Sequence, residues 1–301
     1  MKILLLGCRG QVGWELQRAL APLGDVTALS RQERSDFCGD LERLDDLRET
    51  VRRIRPHVIV NAAAYTAVDR AESEPERARM INSEAPAALA EEAERLDAWL
   101  VHYSTDYIFD GSSPTPSLED DEPAPINVYG ATKWQGEQAV RDAGCWHVIL
   151  RTQWVYSARG NNFIRTILRI AAERDILHVV DDQTGAPTGA ELIADVTAHV
   201  LRLTTKQCVP SGTYHLTARG ETTWYGYARF VIDYARRAKW PIRVPHDGIL
   251  PVKTDAFPTA ARRPRNSRLS VDRLEQTFDL RMPDWRTGVT RALAEMGEPG
   301  R

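Results

Sequence analysis

Three glycines at three-residue spacing, Gly7-x-x-Gly10-x-x-Gly13, stand between an apolar stretch and an amphipathic one, and they constrain this chain more than any other feature. Residues 3–6 are continuously apolar and read as a buried strand. Residues 11–23 read as a helix with Val12, Leu16, Ala19, Leu20 and Leu23 on one face, stopped by Gly24. At a strand-to-helix turn the first glycine permits a sharp bend, the second lets the backbone approach a pyrophosphate, and the third lets the helix pack close to the sheet. The helix start offers unpaired N–H groups to phosphate charge. The pattern therefore predicts a dinucleotide held by Gly7, Gly10, Gln11, Val12 and Gly13.

The alternation continues. Strands are expected over 25–29, 57–61, 99–104 and 147–151, with helices over 45–54, 75–95 and 127–143 between them. Pro86 demands a break or kink in the long helical run. This is the pattern of an α/β fold, a Rossmann-type doubly wound parallel sheet with helices on both faces. Beyond residue 151 the pattern loosens. Helices over 163–173, 190–203, 225–238 and 284–296 and strands over 177–180 and 212–216 are expected, with 241–267, rich in Pro and Arg, as an ordered loop. No linker separates two halves, so a smaller C-terminal substrate domain is expected to be interwoven with the first. The division reads 1–155 plus about 176–222 for the dinucleotide, and about 156–175 plus 223–301 for the substrate.

Composition narrows the partners. With 43% hydrophobic and 27% charged residues, the 301-residue chain can bury a full core unaided. A net charge of -3 gives no broad attraction to nucleic acid or an anionic membrane, so an anionic substrate needs a local basic cluster. Cys8, Cys38, Cys145 and Cys208 contain no Cys-x-x-Cys pair and read as reduced structural thiols. The apolar run at the start is too short for a signal peptide or a membrane span, and a cytoplasmic protein is expected.

The end of the second strand, Ser30-Arg31, carries no acid to bind a ribose 2′-hydroxyl, and Arg31 favours a 2′-phosphate. NADPH is the expected cofactor, with NADH left open by the nearby acids Glu33 and Asp36. Asp40 and Leu41 are placed near the adenine. Ala62, Ala63 and Ala64, after the third strand, either leave room for the cofactor or form a close-packed turn.

Tyr129-Gly130-Ala131-Thr132-Lys133 is the only Tyr-x-x-x-Lys in the chain, and Lys133 is one of just five lysines among 39 basic residues. Four-residue spacing puts both side chains on one helix face. The lysine ammonium is expected to lower the phenol pKa and to hold the nicotinamide ribose, leaving Tyr129 to protonate a carbonyl oxygen. Thr105, at the end of the fourth strand, supplies a hydroxyl to orient that oxygen.

The Gly-x-x-Gly-x-x-Gly spacing resembles the extended and atypical short-chain dehydrogenase/reductase superfamily. Ser104 to Phe109 (STDYIF), Gly10 to Gly13 (GQVG), Asn61 to Asp69 (NAAAYTAVD), Arg151 to Tyr156 (RTQWVY), Gly160 to Phe163 (GNNF), Asp182 to Thr188 (DQTGAPT) and Ala261 to Leu269 (ARRPRNSRL) resemble one branch of it, the dTDP-4-dehydrorhamnose reductases, over essentially the whole chain. The resemblance implies NAD(P)H-dependent reduction of the 4-keto group of dTDP-4-dehydro-6-deoxy-L-mannose to dTDP-L-rhamnose. It implies that Thr66, Val68, Asp106 and Trp154 line the sugar-nucleotide pocket, and that the loop carrying Arg262, Arg263, Asn266 and Ser267 faces the diphosphate. It also implies a homodimer with structural Mg²⁺ on Glu15, Glu191 and Glu295. Plainer alternatives stand beside these: a core tryptophan, a solvated basic loop and surface glutamates. Two rival functions remain. A 4-epimerase or 4,6-dehydratase of the same superfamily is one, although a dehydratase expects an Asp-Glu pair after Thr105 and here Tyr107 follows Asp106. A non-catalytic NADP-binding regulatory subunit is the other.

Overall fold

The computed structural model describes residues 1–32, 36–204 and 210–297, so Glu33 and Cys208 lie outside the described residues. The chain opens with β1 (Lys2–Leu6), α1 (Gln11–Leu20), β2 (Asp25–Leu29), α2 (Leu44–Ile54) and β3 (Val58–Asn61). The helices α3 (Val68–Ala71), α4 (Pro75–Arg79) and α5 (Ala85–Arg95) lead to β4 (Trp99–Thr105), α6 (Val128–Asp142) and β5 (Trp146–Thr152). Next come β6 (Val155–Tyr156), α7 (Phe163–Glu173), β7 (Leu177–Val180), β8 (Thr184–Gly185), β9 (Thr188–Gly189), α8 (Ala190–Thr204) and β10 (Gly212–His215). The chain closes with β11 (Thr222–Thr223), α9 (Trp224–Arg237), β12 (Ile249–Val252), α10 (Asp272–Phe278) and α11 (Trp285–Met296).

Six strands form one parallel sheet in the order β10-β5-β4-β3-β1-β2. Its strands are apolar at successive positions because both faces are covered. Ile3 and Leu5 of β1 enter one core with Leu16 of α1 and Ile193 of α8. Leu4 and Leu6 enter the other with Leu47 of α2 and Leu89 of α5. After β2 the chain returns to the far side of β1 to make β3. This reversal opens a crevice at the carboxyl ends of β1 and β3, where open α/β sheets bind ligands. The expected doubly wound sheet is the fold observed.

The break expected at Pro86 falls just before it. Met80–Glu84 forms a π turn, in which the Ala85 N–H reaches back to the Met80 carbonyl, and Pro86 follows it directly in the first turn of α5, so the missing proline N–H is absorbed by a local change of helix type rather than a chain break. The π turn turns Asn82 inward, where Oδ1 accepts from the Tyr65 N–H at 2.9 Å and Nδ2 donates to the Tyr65 carbonyl at 3.1 Å.

A third core joins α7, α9 and α11, with Ile164, Val231, Trp285 and Leu293 at its centre. Residues 249–252, read from sequence as loop, form β12, which pairs in parallel with β7. Leu177 and Val179 of β7 therefore belong to this core, whereas Leu274 and Phe278 of α10 pack on the first. The boundaries drawn at 176 and 223 do not separate the cores, because the partner of β7 is β12 and not the six-stranded sheet. No helix among the described residues is long and apolar enough to cross a membrane.

Candidate active site

The glycine turn closes β1 tightly. Gly7 has φ +82°, a left-handed conformation that favours glycine. A Cβ on Gly13 would lie 2.1 Å from the Gly7 carbonyl oxygen, so α1 can seat against the turn only without a side chain there. Gly13 thus acts from behind the cleft, while Gly7, Gly10, Gln11 and Val12 line it. Gln11 is also anchored: its Oε1 accepts from Asn162 Nδ2 at 2.9 Å and from Ser157 Oγ at 3.2 Å. Asn162 caps α7 as well, accepting from the Arg165 N–H.

The cleft at the switch point encloses about 720 Å³, within the range of small-molecule sites. Ser30, Arg31, Asp40, Leu41 and Ala62 to Ala64 line it beside the glycine turn. Thr66, Val68, Thr105, Asp106, Tyr129, Lys133 and Trp154 line the rest. Buried polar atoms of Ser104, Thr152 and Gln153 border the cleft without a hydrogen-bond partner in the described protein, which suits a polar occupant. A glycine turn at a helix start, an exposed Arg31 at the rim and these unmatched groups together fit a nicotinamide dinucleotide.

Thr105 ends β4 and lines the cleft. Oγ1 accepts from the Tyr107 N–H at 3.2 Å and donates to Asp106 Oδ1 at 3.0 Å, and it lies close enough to the Tyr129 phenol to lower that phenol's pKa. Asn127 caps α6, accepting from the Gly130 N–H at 2.8 Å, and this sets the helix that carries Tyr129 and Lys133. Burial pushes the Asp106 carboxyl up to about 6, against the opposing hydroxyls of Ser267 and Thr105.

The electrostatics of the Tyr-Lys pair differ from the expectation. Burial pushes the Tyr129 phenol up to about 12; the Thr105 hydrogen bond opposes this and the Asp106 charge adds to it. Lys133 is not among the groups that lower it. The lysine is itself stripped of water, 2% exposed, and burial brings it down to about 8, with the Glu137 carboxylate opposing. Its Nζ donates to the Tyr103 carbonyl at 2.6 Å. Helical spacing predicts a shared face, as found, but it does not say where the ammonium points.

The basic loop does not line the cleft. Arg263 is ion-paired to Asp69 at 2.7 Å and lies beside Tyr107, itself a lining residue, whose phenol helps raise its pKa. Arg262 is exposed and offers its carbonyl to Asn127 Nδ2 at 2.8 Å. Asn266 clamps the neighbouring loop, donating to the carbonyls of Ser113 and Thr115 at 2.7 and 2.8 Å. The carboxylates of Glu15 and Glu295 help raise the pKa of Glu191, after burial. No group of three or more metal-ligating side chains comes together among the described residues, so the three glutamates do not by themselves make a metal site.

Sequence reasoning missed three features. His102, wholly buried, lies between Asn61 and Lys133. Gln153, 2% exposed, borders the cleft with both amide atoms unpartnered. Trp224 stacks on Trp154 with ring centroids 3.7 Å apart, and both line the cleft. Trp154 holds φ +45°, a strained backbone for a bulky residue and a local mark of the site.

Comparison with known proteins agrees with this geometry. The family model described as RmlD substrate binding domain matches residues 1–298. A dTDP-4-dehydrorhamnose reductase of Escherichia coli K12 is 52% identical over 98% of both chains. The crystal structure of a dTDP-4-dehydrorhamnose reductase from Clostridium acetobutylicum superposes with a TM-score of 0.88 at 33% identity, covering 98% of this chain and 99% of that one. That of the Bacillus anthracis enzyme in complex with NADP gives 0.86 at 34%, with the same coverage.

Proposed function

The chain belongs to the dTDP-4-dehydrorhamnose reductases, the family of the RmlD substrate binding domain, and on that premise we propose how its residues carry out the reduction. It is an NAD(P)H-dependent oxidoreductase that reduces the 4-keto group of dTDP-4-dehydro-6-deoxy-L-mannose to dTDP-L-rhamnose. The single observation that carries the residue assignments is one cleft in which Thr105, Tyr129 and Lys133 meet the glycine turn of β1.

Gly7, Gly10, Gln11 and Val12 hold the pyrophosphate, with Gly13 seating α1 behind them, Ser30 and Arg31 hold the adenosine ribose and its 2′-phosphate, and Asp40, Leu41 and Ala62 to Ala64 the adenosine side of the cofactor. A reduced nicotinamide bound there supplies the hydride. Thr105 orients the ketone oxygen, and the Tyr129 phenol passes its proton to that oxygen as the carbon is reduced. A phenol made reluctant to ionise by burial is in its protonated, donating form at neutral pH. Lys133 holds the nicotinamide ribose beside it. Thr66, Val68, Asp106 and Trp154 take the sugar nucleotide. Arg262, Arg263 and Asn266 act on it through the loop that braces Tyr107 and Asn127.

The two-part division, one part for the dinucleotide and one for the sugar nucleotide, belongs to the same proposal, as does a cytoplasmic site of action. So does a homodimer with structural Mg²⁺ on Glu15, Glu191 and Glu295, supported by the nearness of Glu15 and Glu295 to Glu191, whose carboxyl their charges help to raise after burial. Sedimentation with and without EDTA tests the last point. Purified protein supplied with NADPH and the 4-keto sugar nucleotide tests the first: stoichiometric loss of nicotinamide absorbance with formation of dTDP-L-rhamnose is expected. Bound cofactor without oxidation would overturn it.

A further inference from the structure

Lys133 is the terminus of a buried hydrogen-bond chain whose donors and acceptors can be counted. The Ala63 N–H donates to Asn61 Oδ1 at 3.2 Å, which fixes the amide with Nδ2 turned inward. That Nδ2 lies 3.3 Å from His102 Nδ1. An amide NH₂ is only a donor, so Nδ1 must accept and the neutral imidazole carries its proton on Nε2. His102 Nε2 in turn lies 3.4 Å from Lys133 Nζ, whose other partner is the Tyr103 carbonyl at 2.6 Å. Asn61 and His102 are each 1% exposed, so water does not rescue a mismatch.

The count has one complete solution. A neutral lysine amine donates to Tyr103 and accepts from His102 Nε2–H, and every group is matched. An ammonium has no lone pair, so it faces the imidazole N–H donor to donor. Relief requires either the other histidine tautomer, which then confronts Asn61 Nδ2, or a flipped Asn61 amide, which strands the Ala63 N–H.

We propose that Asn61 and His102 are positioning residues that hold Lys133 as the neutral amine in the ligand-free site, so that the lysine gains its charge only when a new acceptor reaches Nζ. The proton comes from solvent. The inference deepens the reading of Lys133 as part of the reductase site, but its test reads the ligand-free protein and does not depend on turnover.

The other groups around Lys133 do not replace this chain. From α6 itself, Glu137 favours the ammonium, but its carboxylate is engaged by Arg151 of β5 and by Arg141. The Tyr129 phenol is kept protonated by burial and lies beside Thr105. From β4, the Tyr103 hydroxyl is bonded away to Thr197 at 2.7 Å; just beyond β4, Asp106 Oδ1 accepts from the Thr105 hydroxyl at 3.0 Å, and burial raises its carboxyl toward the neutral form. The helical run packed on α6 contributes neutral Asn82, bonded to Thr132, while its carboxylates Glu84 and Glu92 are paired to arginines. Burial acts in the same direction as the chain, lowering both Lys133 and His102.

Side-chain NMR of the ligand-free protein tests the proposal, and five lysines and seven histidines keep the spectra tractable. His102 is expected as the Nε2–H tautomer in ¹⁵N spectra; an Nδ1–H tautomer overturns the proposal with no variant needed. Lys133 labelled at ¹³Cε is expected to titrate at least one pH unit below the other lysines; titration with them overturns it. Asn61→Leu, which removes the donor, and Asn61→Asp, which accepts from Nδ1–H, should each raise the Lys133 midpoint by about one unit. Asn61→Asp adds a negative charge, so Asn61→Leu separates the tautomer effect from simple attraction. Should Asn61→Leu fail to fold, a switch of His102 to Nδ1–H in Asn61→Asp supplies the same evidence. No shift in either folded variant refutes the assignment.

Discussion

Glu137 and Arg151, both shut away from solvent, form an ion pair at 2.8 Å that ties α6 to β5. Arg151 immediately precedes Thr152, Gln153 and Trp154, all of which line the cleft, and Glu137 lies one helical turn beyond Lys133. Arg151 donates further to the Glu119 carbonyl at 3.0 Å, so no face of the guanidinium is left to water. Breaking such a pair strands a buried charge. Glu137→Gln is expected to lower stability by roughly 3–5 kcal/mol, read as a shift in the urea midpoint at unchanged slope. A loss under about 1 kcal/mol would mean that the pair behaves as a surface pair.

Asp106 has the opposite character. Its folded pKa, about 6, lies above the ordinary 3.8, so the native chain binds more protons between those values. The stability it contributes is full below about pH 4 and is lost as pH rises through about 6. Asp106→Asn is therefore expected to raise stability at pH 7–8 by roughly 1–3 kcal/mol, with the gain gone by about pH 4. Thermal unfolding across that pH range checks the sign. A variant destabilised equally at every pH would contradict it.

Trp224 sits at the start of α9 with its ring on Trp154 and its Nε1 donating to Gln183 Oε1 at 3.2 Å. Removing it frees a strained Trp154 from its stacking partner. Trp224→Ala should raise KM for the sugar nucleotide roughly 2- to 10-fold while leaving the NADPH dissociation constant unchanged. Equal weakening of both ligands would place Trp224 outside the sugar side of the cleft.

Arg31 at the cleft rim is the residue on which the proposed preference for NADPH rests. Arg31→Ala should weaken NADPH binding about 10-fold, as loss of a charge-assisted contact to the 2′-phosphate does, with NADH affected less than about twofold. Fluorescence titration of the two cofactors reads the difference, and parallel losses would show that Arg31 does not read the phosphate.

The parts legible in the sequence are those set by local pattern. The apolar run of β1 followed by three spaced glycines carries its own geometry, because strand, turn and helix are contiguous. Tyr129 and Lys133 share a face for the same reason. β12 escaped notice because only Ile249 of its four residues is buried, leaving no alternation to read, and its place depends on β7, some 70 residues earlier. His102 reads as one more residue of a buried strand. Its role comes from Asn61, 41 residues away, and Lys133, 31 residues away, which only the folded sheet brings together. The direction of Lys133 Nζ, toward Tyr103 rather than the phenol, is likewise a product of tertiary packing.

The most direct measurement is single-turnover NADPH oxidation by Tyr129→Phe, with cofactor affinity determined on the same sample. The phenylalanine ring keeps the packing and removes only the hydroxyl beside Thr105. The rate of reduction should fall by about 10²- to 10⁴-fold, with the NADPH dissociation constant within about twofold of the parent enzyme. Reduction of the 4-keto sugar nucleotide at near-parent rate would show that the proton comes from another group and that the cleft does not work through Tyr129.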